Sequence, residues 1–452
     1  MTARQRLILG GFAILVMSVV GWLSRQVWES WQTYQDLSPI ATLVMPTAPP
    51  LSSTATAPPV TPSPSLTPPF DLREAGEIAN VVSQARELLP RWEIPFTFVS
   101  EYDLSVRLYR RYEASPPFPV SEQRALTLLG LWPTDADVQA DVVRQAQHAA
   151  ALYLPEEGQL YLRRDWRGSQ ETLRKLLAYS YARALPEQHG NLGHLRREAA
   201  SLDQRLALDA LAEGDTWFTL SRYAGLAPDD PATGELSALI AKAVFPQWRA
   251  QDELLLDLNW LSLIMGSRFA AARYADGGIE ALNAALRRPP RSTEQILHPD
   301  RYAAGDEPQI LEPLRLDLGR SWELTLTETI GEALMQITFD NWPNGGAPPQ
   351  VQGWGGDLLQ VWEGPEEARL FVWQTTWDSG EDASALYAQF RTFLPRQIDA
   401  TSTTNRPLGL RLVGLWWEND NRAAFLYRDA AAIWLLWGDD VEAVTRAAQS
   451  LP

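Results

Sequence analysis

Hydrophobic positions divide the chain into four stretches. Leu7 to Leu23, LILGGFAILVMSVVGWL, is an uncharged apolar run bounded by Arg4, Arg6 and Arg25. As a helix rising about 1.5 Å per residue it covers roughly 26 Å, slightly under the ~30 Å hydrocarbon core, and Ser24 to Trp28 extend it by snorkelling. Trp22, Leu23, Arg25 and Gln26 supply no small-residue cleavage site, so residues 1–28 are predicted to form a cytoplasmic stub and a retained signal anchor. The arginines before the run predict a cytoplasmic N-terminus and an extracytoplasmic body. Residues 38–70 follow, with ten prolines among Ser, Thr and Ala, so neither helix nor packed sheet propagates there. Extended at about 3.1 Å per residue, this linker spans on the order of 100 Å.

From Asp71 the apolar positions recur at helical spacing, beginning with Ile78, Val81, Val82, Ala85, Leu88 and Leu89. Further helices are predicted over about 121–131, 134–148, 169–186, 247–275 and 278–287. Another is predicted over 196–224, with an interruption near Gly214. Between them the period switches to two. Residues 150–154 and 159–163, around Pro155-Glu156-Glu157-Gly158, read as a β-hairpin. Beyond Ser321 the alternation dominates. Strands are predicted at 358–363, 368–377, 410–418, 423–427 and 431–438, with helices at 382–394 and 441–450. The predicted class is α+β: an N-terminal transmembrane helix, a mainly helical domain with a hairpin (71–320), and an antiparallel sheet region (321–452) with helices on one face.

Composition narrows the chemistry. Thirty-nine basic residues against fifty-six acidic ones, a formal charge of -17 and no Lys/Arg block exclude a general grip on nucleic-acid phosphates. The absence of cysteine removes disulfides, thiolate nucleophiles and Cys-based metal sites, and leaves four histidines as imidazole ligands. Of the nineteen tryptophans, Trp354, Trp362, Trp373, Trp377, Trp416, Trp417, Trp434 and Trp437 crowd the C-terminal region. Most are assigned to packing, because adjacent Trp416 and Trp417 must point to opposite faces of a regular strand. A subset forming an aromatic surface for envelope glycan or peptide is the alternative.

The order hairpin, helix, then a second helix carrying Glu-Gly-Asp resembles the HEXXH zinc metallopeptidases of the gluzincin type. Leu177-Ala-Tyr-Ser-Tyr-Ala-Arg-Ala-Leu-Pro-Glu-Gln-His189 looks like the zinc helix of that family, and Ala212-Glu213-Gly214-Asp215 like the segment supplying its third ligand. Gly277-Gly278, the stretch Pro289 to Pro299 (PPRSTEQILHP), Tyr302, Gly331-Glu332 and Gly353-Trp-Gly-Gly-Asp357 extend the likeness over roughly residues 145 to 380. The resemblance implies a zinc-binding framework, yet its ligand and base positions hold Tyr179, Ser180 and Arg183. A zincin helix needs two histidines one turn apart and a glutamate to take a proton from bound water. Tyrosine and arginine are not ordinary zinc ligands, and a guanidinium repels the cation that Glu213 alone is left to hold.

No catalytic residue, zinc or other cofactor is therefore expected. Two readings of Glu213 stay open: a charge-assisted pair with Arg183 in place of the metal, or an acidic residue exposed to solvent on its helix. His189 and His194 lack one-turn geometry, and His148 and His298 lie apart. The PPRSTEQILHP stretch reads as a short helix N-capped by Ser292 or Thr293 and stopped by Pro299. The sequence predicts a membrane-anchored, extracytoplasmic pseudo-metallopeptidase that binds or scaffolds an envelope peptide, protein or glycan. An unconventional metal-dependent hydrolase and an envelope-binding module are the alternatives.

Overall fold

The computed structural model describes residues 71–114, 120–131, 138–226, 260–341, 351–397, 401–402, 412–419 and 422–452, with isolated positions between 236 and 243. The chain divides into two units, Met1–Pro64 and Ser65–Pro452, and every described residue lies in the second. The apolar run Leu7–Leu23 and the linker over 38–70 lie outside the described residues. Among those described, no helix is long and apolar enough to cross a membrane.

Helix α1 (Leu72–Arg86) starts where the proline-rich sequence ends, capped by the Asp71 carboxylate on the Arg73 amide. Its buried stripe runs Ala75, Ile78, Ala79, Val82, Ser83 and Arg86. Strand β1 (Phe96–Val99) follows, then α2 (Glu101–Ala114), α3 (Val120–Leu128) and α4 (Val138–His148). The hairpin forms as predicted from β2 (Ala151–Leu154) and β3 (Gln159–Arg163), with Gly158 at φ +61° in the turn. It does not stand alone: β1 pairs with β3 in parallel, making a three-stranded mixed sheet in the order β1-β3-β2. β1 is four residues long and follows Pro90 and Pro95, so its own pattern is too short to announce it.

Three predicted helix boundaries move. Helix α5 (Gln170–Gly190) does not end at Pro186 but runs through it, to Asn191 at φ 50°. Tertiary packing holds this last turn, since Leu185 and Pro186 are buried and Glu187 is tied back along the helix. The next predicted helix is two, α6 (Leu192–Arg197) and α7 (Leu202–Ala224), and the break falls at 198–201, where the Ser201 hydroxyl caps α7 through Gln204 N–H. α7 then passes through Gly214 without interruption. Gly214 is there for close approach: a Cβ on it would lie 2.1 Å from the Gly266 carbonyl oxygen. One turn of π-helix (Trp260–Met265) leads into α8 (Gly266–Arg287), which is broken at Gly277 and Gly278 as the sequence predicts. The predicted segment over 247–259 lies outside the described residues. Ser292 caps α9 (Thr293–Leu297), and Pro299 opens α10 (Pro299–Ala304).

The C-terminal region contains β4 (Glu323–Glu328), α11 (Gly331–Asn341), β5 (Trp354–Glu363), β6 (Arg369–Trp377), α12 (Gly380–Gln397), β7 (Thr401–Ser402), β8 (Leu415–Glu418), β9 (Ala423–Asp429), β10 (Ala432–Gly438) and α13 (Val441–Gln449). Its strands form one antiparallel sheet in the order β4-β5-β6-β10-β9-β8-β7. The expectation of helices on one face is corrected, because both faces are covered. Phe371, Trp373, Trp417, Leu426, Ile433 and Leu435 pack with α11 and with Ala383, Leu386 and Phe390 of α12. Their neighbours Leu370, Val372, Trp416, Phe425, Trp434 and Leu436 pack with Ala443, Val444 and Ala447 of α13 on the opposite face. The alternation along β6 and β8 leaves two apolar faces, and each needs a cover.

The change in composition near residue 321 is not a gap in packing. One core joins Leu206 and Leu211 of α7, Phe269 of α8 and Ile296 of α9 to Trp354, Trp373 and Trp377 of the sheet. A second core lies under α1, the small sheet and α5. α7 borders both, presenting Leu206 and Leu211 to one and Trp217 and Leu220 to the other.

Candidate functional site

Tyr179 and Arg183 stand one turn apart on α5, on the face turned toward α7, and Glu213 comes from α7 to meet them. The Tyr179 hydroxyl donates to Glu213 Oε2 at 2.6 Å, and Arg183 Nε donates to Glu213 Oε1 at 3.0 Å. Arg183 Nη1 donates to Glu187 Oε1 at 2.5 Å, and Glu187 Oε2 accepts the Gly193 amide at 2.7 Å. Of the two readings of Glu213, the pair with Arg183 is the one present, extended by Glu187 and Tyr179. The side chains are 8%, 10% and 6% exposed for Arg183, Glu213 and Glu187, so solvent screens little of their interaction. Burial opposes the charge of Arg183, but Glu187 and Glu213 more than offset it and raise its pKa above the ordinary value. Burial, reinforced by the Glu213 charge, lifts the Tyr179 phenol well above its usual range, so it donates as a neutral group.

Ser180, the other predicted position, is buried, and its hydroxyl has no hydrogen-bond partner among the described residues. These residues do not fit zinc. The cluster holds one guanidinium, two carboxylates and a phenol, with no imidazole, and the guanidinium already occupies the Glu213 oxygen that a cation would need. The arrangement supplies neither a metal-activated water nor a free base, because both oxygens of Glu213 are engaged.

The histidines are distributed elsewhere. His189 Nε2 lies 2.8 Å from the Leu89 carbonyl oxygen, and His298 Nε2 lies 2.9 Å from Glu332 Oε1. His194 is exposed on α6, and His148 ends α4. Among the described residues, Glu294, Asp306 and Asp378 alone bring three ligating side chains within reach of one ion. Arg301 pairs with each of them, which supplies the neutralising charge from within the chain.

Asp215 does not join Glu213. It takes Arg86 of α1 in a bidentate pair, Nε to Oδ1 at 2.9 Å and Nη2 to Oδ2 at 2.7 Å, with both side chains fully buried. Sequence reasoning missed Arg86. The signal was available, since Arg86 falls three residues after Ser83 on the apolar stripe of α1.

Three of the remaining motifs of the resemblance, through Thr293, Gly331 and Asp357, meet at the N-terminus of α11. Asp357 accepts the Ile330 and Gly331 amides at 3.1 and 2.8 Å and the indole N–H groups of Trp354 and Trp373 at 3.1 and 2.9 Å. Thr293 Oγ1 accepts the Ala333 amide and donates to Asp203 Oδ1, which also accepts the Thr293 amide. Burial pushes the Asp203 carboxyl up to about 8, against the Thr293 hydrogen bonds. Gly331, at φ +81°, leaves room for Asp203: a Cβ on it would lie 1.8 Å from Asp203 Oδ1. Residues quoted for a catalytic family therefore serve here as a buried bracket between α7, α9, α11 and the large sheet. Asp203 was missed because an acidic residue just after a capping serine reads as an ordinary first-turn charge.

The C-terminal tryptophans are used in packing. Trp354, Trp373, Trp377, Trp416, Trp417 and Trp434 are buried, and Trp362 and Trp437 are half-buried. Phe371 and Trp437 stack with ring centroids 4.8 Å apart, and Tyr427 stacks on Trp434 at 5.3 Å.

Residues 323–448 match a family described as a domain of unknown function (DUF8575). That span begins with β4 and ends within α13, and so covers the large sheet with its helices. Neither the curated proteins nor the solved structures contain a match.

Proposed function

We propose that the chain is a membrane-anchored, extracytoplasmic relative of the HEXXH zinc metallopeptidases that keeps their helix pair but not their chemistry, and that it acts by binding or scaffolding in the cell envelope. The observation that carries this reading is the convergence of Tyr179, Arg183 and Glu213. They occupy the two helical positions and the third position that the resemblance assigns to zinc ligands, and Tyr179 and Arg183 each bond directly to Glu213. The pattern of Leu7–Leu23 and the proline-rich linker supports the anchored, exported placement.

The test rebuilds the motif. In the full chain purified in detergent, Tyr179→His, Ser180→Glu and Arg183→His together restore His-Glu-x-x-His facing Glu213. The expected result is stoichiometric zinc in the folded triple variant and none in the wild type, by metal analysis after dialysis. A folded triple variant without zinc removes the relationship to the metallopeptidases, and stoichiometric zinc in the wild type removes the non-catalytic reading.

A further inference from the structure

The PPRSTEQILHP stretch does more than cap a helix: together with α7, α8 and α10 it walls a cleft of about 700 Å³. This cleft is separate from the Glu213 cluster. Gln204, on its wall, is nine residues before Glu213 on α7, which at 100° per residue puts the two on opposite sides of that helix. In a chain with a formal charge of -17, three of the four charged residues lining the cleft are arginines: Arg273, Arg288 and Arg291 against Glu307.

The arginines are differently committed. Arg273 is nine-tenths buried, its Nη1 serves the Pro299 carbonyl and Asp276, and its Nε has no hydrogen-bond partner among the described residues. Arg291 faces Glu307 at 3.4 Å, a loose contact. No described residue forms a hydrogen bond or ion pair with the side chain of Arg288, whose backbone carbonyl is fixed by the Tyr302 hydroxyl at 2.8 Å. Loop and α10 are thereby held together while the guanidinium is left at the cleft. Pro289, Pro290, Leu208 and Tyr302 supply apolar wall. Guanidinium forks recognise carboxylate and phosphate oxygens, and a cleft of one sign focuses its field on an entering counter-ion. The volume exceeds that of a bare oxyanion and falls in the range of small-ligand sites, so the ligand carries an apolar body as well.

We infer that this cleft binds an organic anion, a carboxylate or phosphate group borne on an apolar body, with Arg288 and Arg291 as its primary contacts and Tyr302 with Pro289–Pro290 against the body. The inference does not depend on the kinship with metallopeptidases.

Calorimetric titration of the full chain in detergent tests it, with benzoate, phenyl phosphate and neutral benzamide as probes on one ring. The expected result is millimolar or tighter binding of at least one anion, weakening with added salt, and at least tenfold weaker binding of benzamide. Whichever anion binds tighter distinguishes a carboxylate from a phosphate source. Arg288→Gln and Arg291→Gln, at exposed positions, each weaken binding about tenfold, Glu307→Gln tightens it, and Arg287→Gln, on a side chain paired with Glu280, leaves it unchanged. Equal binding of benzamide, no binding of either anion, or anion binding indifferent to Arg288→Gln and Arg291→Gln overturns the inference.

Discussion

The sharpest prediction concerns Arg183, which holds two buried carboxylates at once. Arg183→Gln strands Glu213 and Glu187, whose side chains are only 10% and 6% exposed. Removing one partner of a buried pair costs about 3–5 kcal/mol, and two stranded acids put this variant at the upper end. Glu213→Gln is milder, at about 1–2 kcal/mol, because Arg183 keeps Glu187 and the Tyr179 hydroxyl keeps an amide oxygen to donate to. The double variant no longer strands Glu213, so its loss falls short of the sum by about 1–3 kcal/mol. Adding Glu187→Gln recovers more, since the Gln oxygen still accepts the Gly193 amide. Urea unfolding followed by tryptophan fluorescence gives all four free energies, with an unchanged slope as the check that the same surface is exposed. Losses that add within about 0.5 kcal/mol would refute the pairing and return Glu213 to a solvated acid on a helix.

Three further outcomes follow from the packing. Gly214→Ala drives a Cβ into the Gly266 backbone and is expected to cost more than about 3 kcal/mol, whereas Gly76→Ala, with nothing within 4 Å of the new methyl, stabilises α1 by about 0.5–1 kcal/mol; thermal melts of both variants check the contrast. Asp203, with a carboxyl pushed up to about 8 by burial against about 3.9 in the unfolded chain, binds its proton more readily when folded. Its contribution is therefore complete below about pH 4 and is lost as pH rises toward about 8, so Asp203→Asn should flatten the fall in melting temperature over that window; an unchanged slope would contradict it. Trp373→Phe removes one of four donors to the buried Asp357 carboxylate and is expected to cost about 2–4 kcal/mol, while Trp437→Phe, half-buried and stacked on Phe371, costs about 1 kcal/mol by chemical denaturation.

Much of the architecture was legible because period and breaker residues agree locally. The alternation around Pro155–Gly158 marks the hairpin, Gly277–Gly278 marks the break in α8, and the split of Trp416 from Trp417 marks two faces of one sheet. Failures occur where a distant contact overrides a local rule. Gly214 breaks helices in general, but here α8 comes so close that only glycine is tolerated. Pro186 would end α5 in isolation and instead sits inside its buried last turn. β1 exists through pairing with β3, and α13 covers a face whose need for a cover is visible only once the sheet is assembled. The site divides in the same way. The i,i+4 spacing of Tyr179 and Arg183 announces a shared face, and a pair with Glu213 was one of the two readings left open. Glu187 lies one turn beyond Arg183 but past Pro186, where the helix was predicted to end, and Arg86, marked by its place on the stripe of α1, finds Asp215 only in the folded arrangement.

A buried Glu213 needs no metal to explain it. A lone carboxylate between α5 and α7 carries a desolvation cost of several kcal/mol, and something must neutralise it or hydrogen-bond it. A divalent ion does this in a zincin; here Arg183 and Tyr179 do, with charge from one and a neutral O–H from the other. The two ways of neutralising the carboxylate are not exchangeable one residue at a time. Arg183→His alone, neutral above its usual pKa, would leave Glu213 and Glu187 buried with no cation, and Tyr179→His alone would bring an imidazole beside a guanidinium that excludes zinc. Either single substitution is expected to lose stability without gaining metal, and only the combined one changes the chemistry. The ion-pair cluster is therefore satisfied as it stands: its two carboxylates, guanidinium and phenol neutralise and hydrogen-bond one another, and no single change of this kind turns it into a zinc site.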